Sequence, residues 1–147
     1  MNNHISREMK RFNYLISETD ATYHEAALRM GLSDSAMQIL YVICDYDKGD
    51  RCPLQEICKR SGISKQTINS AVRKLEAQGI VVLEQTGAKN KDVCLTEEGI
   101  RLAGCTTMNL IEIENNILKS WSKEELKIYL ELTERFLIEL KDKVKEI

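Results

Sequence analysis

A single proline and seven glycines among 147 residues leave too few turn-formers for a many-turned β protein, whose strands must be punctuated by such residues. No stretch approaches 18 consecutive apolar residues, and the polar opening Met1–Lys10 lacks the apolar segment of a secretory signal. Neither a membrane span nor an exported precursor is expected, and the expected location is the cytoplasm. The five cysteines Cys44, Cys52, Cys58, Cys94 and Cys105 are odd in number and contain no CxxC pair. This argues against a disulfide framework and a zinc ribbon, and predicts free thiols, with Cys44 and Cys58 on inward helix faces. Histidine is scarce as well. His4 stands near the start of the chain and His24 has only Glu25 close by in sequence, pointing elsewhere on the helix. No nucleophile, acid/base pair or metal-ligand cluster emerges, so neither catalysis nor a metal or cofactor is expected.

What remains is a composition of 43% hydrophobic and 30% charged residues, which belongs to a soluble folded chain rich in helix formers. The length suits one domain with a core and an oligomer surface. The net charge of −2 conceals an asymmetry, because Arg51–Lys91 carries eight Lys/Arg against three Asp/Glu while the flanks are acidic. A basic centre in an acidic chain suggests one surface for a polyanion and others with different work.

The positions Ile5, Met9, Phe12, Ile16, Thr19, Tyr23, Ala26 and Met30 step by fours and threes, which predicts one long helix ending near Gly31. Ser33 caps a second helix with Met37, Leu40, Tyr41 and Cys44 on one face, closed by the turn Asp47–Asp50. Pro53 is placed at the first position of a short helix with Leu54, Ile57 and Cys58 inward, stopped by Gly62. Ser64 caps a fourth helix whose Ile68, Ala71, Val72 and Leu75 form one buried face, ended by Gly79. The β-branched run Ile80–Leu83, a tip over residues 85–91 and the run Val93–Leu95 predict a hairpin. Thr96 caps a further helix running through Ile100, Ala103, Leu110 and Ile117. Ser122 and Glu125 then form a capping box, with Trp121 stapled to Leu126. In the last helix Leu126, Leu130, Leu137, Leu140 and Val144 again step like a heptad seam. Seams at both ends ask for partner helices.

Residues 54–79 therefore have the order of a helix-turn-helix, and the outer face of its second helix is distinctive. Ser64, Lys65, Gln66, Thr67, Asn69, Ser70, Arg73 and Lys74 present amide, hydroxyl and cationic donors with no carboxylate before Glu76. Such a face suits a major groove, where Gln and Asn read adenine and Arg reads guanine, while Lys65 and Lys74 suit phosphates. The hairpin that follows makes a wing whose Lys89 and Lys91 are expected against DNA backbone or a minor groove.

At this point the sequence resembles the MarR (multiple antibiotic resistance regulator) family of winged-helix transcription factors. The resemblance is carried by Leu54–Ser64, Val72–Val81 and Val93–Gly99, and by the order of elements over nearly the whole chain. It implies a mainly α fold with a small β-hairpin wing: one domain over 1–147, with a winged helix-turn-helix lobe at 33–96 and a helical dimerisation region from 1–31 and 97–147. It further implies a homodimeric, sequence-specific regulator of transcription, usually a repressor, on a pseudo-palindromic operator in double-stranded DNA. Many such proteins release DNA when a small aromatic effector binds, and Tyr14, Tyr23 and Tyr41 are the residues that could line that pocket. Peroxide-sensing members use a thiol near the first helix, and this chain has none before Cys44. The wing lacks the acidic and paired-arginine pattern common in the family and is about two residues short. The alternative reading is a winged helix that binds protein rather than DNA.

Overall fold

The computed structural model describes residues 4–147; the first three positions of the polar opening lie outside the described residues. The elements run α1 (Arg7–Arg29), α2 (Asp34–Asp45), β1 (Arg51–Pro53), α3 (Leu54–Ser61), α4 (Lys65–Ala77), β2 (Val81–Gln85), β3 (Lys91–Leu95), α5 (Glu97–Cys105), α6 (Thr107–Ser120) and α7 (Lys123–Val144). The chain forms two compact units, the first reaching Asn109 and the second covering Leu110–Ile147.

Hydroxyl caps set the helix starts. Ser6, Ser33, Ser64 and Thr96 each accept from a backbone N–H three residues on, at Met9, Ala36, Thr67 and Gly99. Each satisfies one of the donors that a first helical turn leaves open, a contribution of about 1 kcal/mol. At the other end of α3, Gly62 takes φ +67, the left-handed conformation that ends a helix at little steric cost.

The core of the first unit gathers Ile39, Leu40 and Ile43 from α2, Cys52 from β1, Ile57 from α3, Ile68, Val72 and Leu75 from α4, and Val81 and Val93 from the sheet. Each fully buried aliphatic side chain contributes roughly 1.5–3 kcal/mol by leaving water. The inward face of α2 is thus centred on Ile39, Val42 and Ile43 beside Met37 and Leu40, whereas Tyr41 and Cys44 are only half-buried. Cys58 is half-buried too, and the one fully buried thiol is Cys52.

Three local expectations are corrected. Pro53 does not open α3 from within but precedes it as N-cap and closes a strand, β1, that the sequence reading lacked. The strand order is β1-β3-β2, all antiparallel, so β1 is an edge, where a residue without an N–H is tolerated. The hairpin tip is tighter than 85–91, because Gln85 and Lys91 are the last paired residues and the loop is 86–90. The helix from Thr96 does not continue to Ile117; it breaks at Thr106, whose φ −126 and ψ −83 are not helical. The Thr106 hydroxyl donates to the carbonyl of Leu102 at 2.6 Å, a back-bond that bends helices. The Trp121 ring also meets that of Tyr129, edge to face at 5.1 Å.

In the second unit, α7 begins with the full capping box, Ser122 Oγ accepting from Glu125 N–H and the Glu125 carboxylate accepting from Ser122 N–H. Those hydrogen bonds hold the Glu125 carboxyl below its ordinary value. No residue of α7 is buried, and Leu130, Phe136, Leu137, Leu140 and Val144 are exposed. On α1, Ile5, Met9, Phe12 and Ile16 are exposed in the same way.

Candidate nucleic-acid interface

The site is built from α4 upward. Ile68, Val72 and Leu75 anchor one side of this helix in the core, which turns the opposite side outward. On that outward side Lys65, Gln66, Ser70, Arg73 and Lys74 are exposed, and Asn69 is half-buried. At a 100° step, Lys65, Asn69, Arg73, Gln66, Ser70 and Lys74 span about half the helix circumference. Among the described residues none of these side chains has an ion-pair or hydrogen-bond partner. Their donors face solvent unspent, a costly arrangement only if something were to bury them without partners.

Ser64 and Thr67 are occupied differently. The Ser64 hydroxyl donates to Thr67 Oγ1 at 2.9 Å and accepts from the Thr67 N–H at 3.3 Å, so the pair fixes the start of α4. In α3, Arg60 is tied back: it bridges Glu56 and Asp45 and its guanidinium lies 5.0 Å from the Tyr46 ring. It binds α3 to the end of α2 and contributes no free cation.

The wing carries Lys89 at the loop and Lys91 at the first position of β3, both exposed. The loop is closed by Thr86 N–H donating to Asn90 O at 2.9 Å, and by the Gln85 amide donating to Gly87 O at 2.9 Å. On the outward face of the sheet, Arg51 donates to Asp92 at 3.0 Å and to Glu84 at 3.0 Å. Hydrogen bonds to Glu84 and then Asp92 push the guanidinium further toward its charged form. Sequence reasoning missed this cluster. Its signal was the alternation of charges on Arg51, Glu84 and Asp92 with inward Cys52, Leu83 and Val93.

Among the tyrosines, Tyr14 is exposed and Tyr23 and Tyr41 are half-buried. A cavity of about 580 Å³ lies elsewhere, between Leu32, Ala36, Ala71, Leu75 and Leu102 below and Gln66, Ser70 and Lys74 above. It contains none of the three. His24, expected to lack an acid, in fact has one: its Nδ1 lies 2.8 Å from both carboxylate oxygens of Asp34 at the start of α2. Among the described residues no group of His, Cys, Asp or Glu could hold a metal ion, and no helix is long and apolar enough to cross a membrane.

A short helix, a glycine turn, a capped second helix with an outward polar face and a three-stranded sheet ending in a hairpin define a winged helix-turn-helix. Residues 30–89 match the MarR family, a family of transcription regulators rather than enzymes, and the fold of the chain is that of MarR regulators. Among solved structures, NMB1585, a MarR family regulator from Neisseria meningitidis, superposes with a TM-score of 0.76 at 17% identity, covering 95% of this chain and 96% of that one. MepR of S. aureus, in a complex with DNA, gives 0.69 at 18%, covering 93% and 99%. NadR in complex with 4-hydroxyphenylacetate gives 0.69 at 14%, covering 92% and 96%. A search by sequence among curated proteins finds no match.

Proposed function

We propose that this protein is a cytoplasmic, sequence-specific DNA-binding regulator of transcription that acts as a homodimer, represses, and releases its operator when a small aromatic effector binds. The single observation that carries the reading is the outward face of α4, with six donor-bearing side chains from Lys65 to Lys74 and no carboxylate among them. Gln66, Asn69, Ser70 and Arg73 read base edges; Lys65 and Lys74, the Ser64–Thr67 turn, Lys89 and Lys91 grip the backbone. The exposed apolar positions of α1 and of α7 support a second copy as partner, since each row is too extensive to be left in water. The DNA complex of MepR and the aromatic ligand of NadR support the operator and the effector. Tyr14, Tyr23 and Tyr41 remain the proposed effector-binding residues.

The test is selection of genomic fragments by the purified protein, followed by release with a panel of aromatic carboxylates and phenols. Enrichment of an inverted repeat is expected. Recovery of no sequence above background at low salt would overturn the reading, and binding that no compound weakens would remove the effector from it.

A further inference from the structure

We propose that Arg51 is the positioning residue of the wing: its guanidinium, forked between Glu84 and Asp92, holds the hairpin closed and neutralises the carboxylates beneath the tip that carries Lys89. The part of this concerning DNA rests on the reading above.

Glu84 and Asp92 are direct cross-strand partners in the β2–β3 ladder. Like charges so placed repel and open a hairpin. Beyond them only the pair Gln85–Lys91 and the loop 86–90 remain, so this carboxylate pair sits at the root of the tip. Arg51 comes from neither strand of the hairpin. It stands on the edge strand β1 opposite Cys94, and its side chain crosses the outward face of β3, with Nε on Asp92 and a terminal nitrogen on Glu84, each at 3.0 Å. One cation thereby serves three strands.

Pro53, the β1 partner of Asp92, costs the ladder nothing: Leu95 N–H donates to Asp50 O, bonded pairs alternate from there, and the Pro53 nitrogen faces away from β3. What the level of Asp92 lacks is a counter-charge, since Glu84 stands directly opposite it on β2. The Arg51 side chain supplies a charged donor at that level. Isolated exposed ion pairs contribute little, but a planar guanidinium forked between two carboxylates is a network, and Asp92 is only 17% exposed. Lysine, a single point charge, cannot serve both acceptors in the same way. For DNA the consequence is electrostatic: without Arg51 two uncompensated carboxylates stand behind Lys89, where phosphates approach.

Amide hydrogen exchange of the full chain separates this from a general loss of stability. In Arg51→Gln the amides of Glu84, Thr86 and Asp92 should exchange about three- to tenfold faster, while those of Ile39 and Ile68 keep their protection. Arg51→Lys should lie between, and adding Glu84→Gln with Asp92→Asn to Arg51→Gln should restore slow exchange. Affinity for a mixed-sequence duplex at low salt should follow the same order, weakening about three- to tenfold and recovering in the triple variant. Wing exchange unchanged in Arg51→Gln, or not restored in the triple variant, would overturn the clamp. If wild type binds no duplex, the DNA reading falls, and the exchange data still decide the clamp.

Discussion

The backbone of Gly99 in α5 lies directly against the carbonyl of Ile80, so closely that a Cβ built on Gly99 would overlap that oxygen. The same carbonyl accepts from the Thr96 N–H at 3.0 Å, and the Thr96 hydroxyl donates to Gly79 O at 2.5 Å. The exit of α4, the foot of the wing and the entry of α5 are thus joined by backbone contacts that leave room for glycine alone. Gly99→Ala should cost about 1–3 kcal/mol of stability by forced separation of the two segments. Urea unfolding measures this, and a loss below about 0.5 kcal/mol would mean that α5 shifts freely.

Cys52 is fully buried, and burial pushes its thiol up to about 11 from an ordinary 9, with Arg60 opposing. The folded state therefore binds the proton more tightly than the unfolded state. Its contribution to stability is complete below pH 9 and is lost as the pH rises toward 11, to a total of about 3 kcal/mol. Denaturant melts between pH 8 and 11 should show a decline that is smaller in Cys52→Ala. At neutral pH, Cys105 is exposed and should react with a thiol reagent well before Cys52.

The two parts of the proposed interface should respond differently. Arg73→Ala should weaken binding to a selected operator by about 1–3 kcal/mol per half-site and relax base preference. Lys89→Ala removes about two phosphate contacts per dimer. It should flatten the log-affinity against log-salt slope by about 1.8 units, with sequence preference intact. Fluorescence titrations over a salt series read both. A Lys89→Ala protein with altered preference at flanking A·T steps and an unchanged slope would make the wing a shape reader.

Leu137 is 48% exposed on α7, in a row with Leu130 and Val144. In the proposed homodimer this row is covered, and Leu137→Lys would place an unpaired charge there at a cost of several kcal/mol. Sedimentation at micromolar concentration should show a dimer for wild type and dissociation for the variant. A monomeric wild type would exclude the assembly.

Local chemistry alone determined most helix boundaries and the reading face. A hydroxyl before a helix accepts from an N–H three residues on, so Ser33, Ser64, Thr96 and Ser122 marked their helix starts without tertiary information. The 3.6-residue period placed Ile68, Val72 and Leu75 inward, which by geometry turned Gln66, Ser70 and Arg73 outward. The missed features depend on partners far along the chain. A three-residue strand such as Arg51–Pro53 carries no period of its own and exists because β3, some 40 positions later, supplies its ladder. The break at Thr106 had a weak local signal in two adjacent threonines, but helical periodicity on either side outweighed it. His24 and Asp34, like Arg51 with Glu84 and Asp92, became pairs only when separate elements folded against one another. Sequence spacing fixes which side of an element a charge occupies, whereas which opposite charge lies 3 Å away is decided by how those elements pack.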